Sequence, residues 1–133
     1  MNTTTTTTHI EHAINWFEIP VTDIARSTAF YERLLGVTLR REQCGGMALA
    51  VFPGTDDPNT IKGALMAVDK APACTDGVII YLNAGKSINA VLARLEACGG
   101  QLLTPRVVLP DNMGCFAHIA DLDGHRIGLH ALD

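Results

Sequence analysis

The sequence predicts an α+β protein built from two tandem βαβββ modules with a cleft between them, and three observations carry that prediction. The chain repeats itself: residues 13–68 and 76–132 each run through an alternating strand, an amphipathic helix, a glycine stop and three further short strands. At 133 residues it is long enough for one well-buried domain and too short for two independent ones, so the halves are modules of residues 13–133 taken as a single domain. Hydrophobic residues make up 47% and charged residues 18%, the balance of a compact protein with an extensive interior. A cleft between paired halves is a natural ligand site, so chemistry is sought on the faces the modules turn toward each other.

Taken in order, residues 1–12 form a polar, threonine-rich lead-in that buries nothing, and His9 and His12 read as exposed tail histidines. Residues 14–21 alternate as the first strand. Asp23 is a helix cap, and the helix to Leu35 places Ile24, Ser27, Thr28, Tyr31, Leu34 and Leu35 on one side with Phe30 flanking, before Gly36 ends it. Strands follow at 37–41, 47–52 and 63–68, with a turn-rich stretch at 53–59. Residues 69–76, with Pro72, read as the linker. The second module opens with a strand at 78–83. Its helix is capped by Ser87 and buries Ile88, Val91, Leu92 and Leu95, leaving Arg94 and Glu96 to water, and Gly99-Gly100 stops it. Strands at 101–107, 114–121 and 126–132 complete the repeat, with turns at 110–112 and 121–124.

A formal net charge of −4 with scattered Lys and Arg gives no surface for nucleic acid. No apolar run is long enough to cross a bilayer, and the opening residues lack the basic segment and apolar run of a signal peptide. Cys44, Cys74, Cys98 and Cys115 have no CxxC or Cys/His zinc spacing, which fits reduced thiols in a cytoplasmic protein.

Strand alternation decides what meets a ligand. On the first strand Phe17, Ile19 and Val21 suit the underside of the helix, leaving Trp16, Glu18 and Pro20 on the other face. On the fifth, Val78, Ile80 and Leu82 take the helix side, and Ile79, Tyr81 and Asn83 the cleft side. A carboxylate within an apolar strand is costly to bury unless paired, so Glu18 serves either a rim or interface salt bridge or the ligand site. Tyr81 and Asn83 read as hydrogen-bonded lining residues. Trp16, the single tryptophan, is core or a stacking platform. Gly128 and His130 share a face of the last strand, and His118 comes from the strand before it, across a tight turn. Two histidines with Glu18 have the composition of a divalent-metal site, and histidine also suits general-base work. Phosphate-binding glycine loops and a Gly-x-Ser-x-Gly elbow are missing.

The stretch Trp16-Phe17-Glu18-Ile19-Pro20-Val21-Thr22-Asp23, with Phe30-Tyr31 and Leu35-Gly36, resembles the opening of the glyoxalase/bleomycin-resistance/dioxygenase group, the vicinal oxygen chelate superfamily. Asp121-Leu122-Asp123-Gly124-His125-Arg126-Ile127-Gly128-Leu129-His130 resembles its closing turn and final strand. The resemblance implies paired βαβββ modules whose sheets curve round a cleft, and a homodimer. In metal-dependent members one ligand comes from the first strand and one from the last strand of each module. On this chain those positions fall on Trp16, on or next to Ile79, near Gly63 or Ala64, and on Gly128. None offers a side-chain donor, so no resident metal is expected.

The resemblance therefore implies a protein that binds a small organic molecule in the cleft without the usual divalent ion, its ligand-binding residues being Trp16, Glu18, Ile79, Tyr81, Asn83, Gly128 and His130. Resistance-type members sequester a cationic drug, which Glu18 and the overall acidity would suit, given an acidic groove with Trp16 and Tyr81 as stacking aromatics. The alternative is a metal-dependent lyase, isomerase or dioxygenase with a shifted catalytic site at Glu18, His118 and His130. A third is a purely dimerising or regulatory module.

Overall fold

Both modules follow one plan. The structure, a computed structural model, describes residues 12–57, 59–70 and 75–133. The first module consists of β1 (Trp16–Val21), α1 (Ile24–Leu35), β2 (Arg40–Cys44), β3 (Met47–Val51) and β4 (Lys62–Ala67). The second repeats it as β5 (Ile80–Asn83), α2 (Ile88–Cys98), β6 (Gln101–Val108), β7 (Cys115–Ala120) and β8 (Arg126–Ala131). Each module builds its own four-stranded sheet, ordered β1-β4-β3-β2 and β5-β8-β7-β6. The first strand pairs in parallel with the last; the helix carries the chain from the first strand to the far edge of the sheet, and antiparallel strands bring it back. The remaining pairs are antiparallel.

The helices begin and end where their sequences dictate. The Asp23 side chain accepts the Arg26 N–H and the Ser87 hydroxyl accepts the Ala90 N–H, each satisfying a donor the first turn cannot. Gly36 (φ 68°) and Gly99 (φ 91°) end them in the left-handed region, where a side chain would be strained. Along α1 the buried residues are Ser27, Thr28, Phe30, Tyr31 and Leu34, so Phe30 is central rather than flanking.

The helix-facing sides of both sheets meet in one continuous apolar cluster. Ile19, Val21 and Leu65 of the first sheet join Leu82, Ile119, Ile127 and Leu129 of the second, around Phe30, Tyr31, Leu34, Ile88, Val91 and Leu95. A separate small cluster of Leu49, Val51 and Ala64, with Met66, lies on the opposite face of the first sheet.

Polar ties lock the modules together. Tyr31 donates its hydroxyl proton to Asp121 Oδ2 at 2.7 Å, both residues being buried. The other oxygen of Asp121 accepts the N–H groups of Asp123 and His125, so one carboxylate folds the turn before β8 and holds it to α1. Burial first, and the adjacent Asp121 carboxylate second, push the Tyr31 phenol well above its ordinary pKa. Asp123 in turn accepts from Thr22 at 2.6 Å, and His125 Nε2 donates to Pro20 O at 2.8 Å. The Asp-x-x-Gly turn thus acts as a joint between modules.

Several expectations need correction. Val78 does not lie under the helix: β5 starts two residues later and Val78 is 94% exposed. The second strand occupies Arg40–Cys44 rather than 37–41, since Leu39 N–H is taken by Glu32 Oε2 and the chain has to clear α1 first. Arg94 does not face water but donates to Leu34 O at 3.0 Å, tying α2 to the end of α1. Residues 1–11, including His9, and the part of the linker that holds Pro72 and Cys74 lie outside the described residues.

Candidate ligand cleft

The side of each sheet away from the helices is the surface the sequence reserves for a ligand, and the two sheets furnish it differently. On the second sheet Tyr81 and Gly128 are direct cross-strand partners, as are His118 and Gly128 and, one pair along, Phe116 and His130. The Tyr81 ring lies flat over Gly128: a Cβ built there would come within 2.4 Å of it. The ring also stands edge-on to Phe116, with centroids 6.0 Å apart.

From that seat Tyr81 Oη reaches His118 Nε2 at 2.7 Å. On the other side of the imidazole, Nδ1 lies 3.0 Å from Arg126 NH1, with the Thr104 hydroxyl 3.4 Å away. Arg126 is itself steadied by Nε donating to Thr75 O at 2.8 Å. Burial, then the neighbouring Arg126 charge, lower the His118 pKa, which favours the neutral ring. His130 faces the same way but is engaged elsewhere, donating from Nε2 to Met113 O at 2.7 Å.

The first sheet offers Trp16 and Glu18, both exposed, joined by Trp16 Nε1 donating to Glu18 Oε2 at 3.2 Å. Glu18 is therefore no buried carboxylate needing a partner, and the burial cost inferred from its apolar neighbours does not arise. Ile79 is half-buried just ahead of β5, and Asn83 turns its Oδ1 back to accept Gly85 N–H at 2.8 Å.

Two cavities open between the modules. The larger, about 670 Å³, has walls of Phe17, Phe52 and Ile61 on one side and Tyr81, Leu82 and Asn83 on the other, Phe17 and Leu82 reaching it from the helix-facing sides of their strands. The smaller, about 350 Å³, is lined by Glu18, Pro20, Val78, Ile80, His125 and Arg126. Their charges do not make the acidic groove expected for a cationic drug. Lys62 is the charged side chain lining the larger cavity, and Glu18 shares the smaller one with Arg126. Tyr81 lines the larger cavity, and Trp16 lines neither.

The positions that would hold a divalent ion were tested on their surroundings. Register decides the first-module position between Gly63 and Ala64: Ala64 pairs with Glu18 as Gly128 pairs with Tyr81, whereas Gly63 lies under the Phe17 ring on the core side. Ala64 is fully buried among Leu49 and Val51, and Gly128 is covered by Tyr81. A tryptophan, an alanine, an isoleucine and a glycine supply no oxygen or nitrogen donors, so these residues do not fit a metal. The shifted set fares no better. Glu18 is on the other sheet from His118 and His130, and among the described residues no three His, Cys, Asp or Glu side chains gather closely enough to hold an ion.

Arg126, Thr104 and Phe116 were not singled out from the sequence. Arg126 stands two residues before Gly128 on the same strand, so the alternation that exposed Gly128 and His130 already placed its side chain on the cleft face. Thr104 carried no comparable signal, because β6 slips register twice on either side of Thr104, and Pro105 interrupts its ladder.

Residues 13–129 match the model of the Glyoxalase/Bleomycin resistance protein/Dioxygenase superfamily, and the chain belongs to that family. Solved structures share the fold. The fosfomycin resistance protein FosX from Listeria monocytogenes superposes with a TM-score of 0.63 at 18% identity, over 92% of this chain and 94% of that one. A glyoxalase/bleomycin resistance protein from a Streptomyces species gives 0.60 at 24% identity, over 89% and 99%. A glyoxalase I variant from Zea mays gives 0.66 at 22% identity over 88% of this chain but 46% of its own, so this chain spans about half of that enzyme. No curated protein sequence matches.

Proposed function

We propose that the protein binds a small organic molecule in the cleft between its modules, without a divalent ion at the positions its relatives use, and that it works as a homodimer. The observation that carries this reading is the Gly128 corner. Where metal-dependent relatives carry a last-strand ligand, this chain has a bare glycine roofed by the Tyr81 ring, and the matching corner of the first module is a buried alanine. A 670 Å³ cavity with mostly apolar walls and a few polar groups is of the size and character that small ligands occupy. Dimerisation is supported by the exposed apolar side chains Ile14, Trp16 and Val78 along the β1 and β5 margins.

Metal analysis of protein purified without an affinity tag, combined with a thermal-shift screen of small organic molecules before and after chelation, tests the proposal. The expected result is zinc, nickel, manganese and iron far below one equivalent and ligand-induced shifts that survive chelation. One equivalent of any of them, lost together with ligand binding in Glu18→Ala or His130→Ala, would overturn it. Sedimentation equilibrium reports the dimer.

A further inference from the structure

The geometry points to a hydrogen-bond relay, Arg126 to His118 to Tyr81, that turns the Tyr81 hydroxyl into a donor aimed into the cleft, so that the ligand is a molecule with an apolar body and a carbonyl or carboxylate oxygen. This deepens the cleft-binding reading and rests on it.

Which atoms can donate fixes the direction of each bond in the relay. A guanidinium carries N–H groups and no lone pair, so at 3.0 Å from His118 Nδ1 the Arg126 nitrogen requires that Nδ1 be unprotonated. The proton of the neutral imidazole is then on Nε2, and the atom 2.7 Å from Nε2 is Tyr81 Oη. The tyrosine oxygen therefore accepts, and its own proton must go elsewhere. No other side chain or backbone group of the described residues bonds it, and Tyr81 is 49% exposed on the cleft face. The lowered pKa of His118 agrees, since an imidazolium would set an N–H against the Arg126 N–H.

Position strengthens the case. Tyr81 sits over Gly128, the corner where metal-dependent relatives supply a ligand for the ion that polarises a substrate oxygen. A hydroxyl whose oxygen already accepts a bond from a cation-backed imidazole is a stronger donor than an isolated one. The surroundings favour an acceptor: no carboxylate bonds Tyr81, His118 or Arg126, and Arg126, although it shares the smaller cavity with Glu18, makes no ion pair among the described residues. Phe116 and the Tyr81 ring supply the apolar seat. In this scheme Tyr81 is the binding residue, and His118 and Arg126 are positioning residues.

The test uses three probes with one phenyl body: phenylacetate, phenylacetone and phenethylamine, titrated by NMR. The acid and the ketone should bind, each weakened about tenfold in Tyr81→Phe, which keeps the ring over Gly128. The ammonium probe, with no acceptor, should not bind at this face. Independently of any ligand, imidazole nitrogen spectra should place the His118 proton on Nε2, and Arg126→Met should shift it toward Nδ1 while weakening the acid and the ketone together. A proton found on Nδ1 in the unmodified protein overturns the relay. Acid and ketone bound by Tyr81→Phe as tightly as by the unmodified protein, or an amine held as tightly as the acid, overturns the ligand class. Failure of all three to bind overturns the ligand class, while the thermal-shift screen decides the cleft-binding reading and the tautomer decides the relay.

Discussion

The two modules agree on one face and disagree on the other. Their helix-facing sides are interchangeable in kind: Ile19, Val21 and Leu65 do in the first what Leu82, Ile127 and Leu129 do in the second, and all enter one core. Their cleft-facing sides share no chemistry. The first presents a dry cluster of Leu49, Val51 and Ala64 beside an exposed Trp16–Glu18 pair, the second a chain of polar contacts from Arg126 to Tyr81. Packing constrains both modules alike because both bury their helix-facing side chains in the same interior. The faces turned from the helices share no such interior, so the repeat is legible on one face and lost on the other.

The largest effect is expected where the modules meet. Asp121→Ala leaves the buried Tyr31 hydroxyl without an acceptor and frees two N–H groups of the turn, which should cost about 3 kcal/mol. Urea denaturation measures it. If both modules then unfold in one transition of unchanged slope, the core alone couples them; two transitions would show that this carboxylate does.

A pair of substitutions comes next, at two glycines on opposite faces of their sheets, each covered by its cross-strand aromatic: Gly63 by Phe17 on the core side and Gly128 by Tyr81 on the cleft side. At Gly63 a new Cβ would meet the Phe17 ring at 2.2 Å, packed into the core against Phe52; at Gly128 it would meet Tyr81 at 2.4 Å, a half-exposed ring free to tilt outward. Gly63→Ala should therefore destabilise by roughly 2–3 kcal/mol and Gly128→Ala by about 1 kcal/mol. Only the second should dislodge the Tyr81 hydroxyl from His118, visible as a change in the His118 ring signals.

Much of this arrangement could be read before any coordinates. The caps Asp23 and Ser87, the stops Gly36 and Gly99 and the period-two faces of β1, β5, β7 and β8 are local signals, and the local rules that produce them act within a few residues. The pairing of partners across the chain was not legible. Glu18 looked like a costly buried charge because its neighbours in sequence are apolar, yet burial depends on what lies opposite, and opposite Glu18 there is mostly water. His118 and His130 were placed on the right face, but whether they converge on an ion or separate toward Tyr81 and Met113 depends on diagonal neighbours two strands apart. The motif resemblance identified the family and the missing donors, while the residue that fills the vacated corner, Tyr81, emerged only from its cross-strand pairing with Gly128.

The next prediction separates the cleft faces by pH. His118 is flanked by Tyr81 from β5, Arg126 from β8 and Thr104 from β6, with no carboxylate bonded to it. Its folded pKa lies below the ordinary histidine value, so between the two the unfolded chain binds more protons. Stability from this site is complete above about pH 7 and is lost as pH falls through the lowered folded value. Proton NMR of the His118 ring should show the low value directly. Arg126→Met should raise it only part of the way, because burial is the larger cause and remains.

The smallest effect belongs to the first module's cleft face. Trp16 Nε1 reaches Glu18 Oε2 at 3.2 Å between two exposed side chains, so water can replace either partner at little loss. Trp16→Phe keeps a ring there and removes only the N–H, and should change stability by no more than about 0.5 kcal/mol in urea. Its value is as the counterpart of Tyr81→Phe, which also deletes one polar atom from an aromatic ring. If the two variants match in stability but differ in probe binding, recognition lies on the second sheet. If Trp16→Phe weakens the phenyl probes as much, the ligand spans both faces, and the asymmetry between modules is one of chemistry rather than of use.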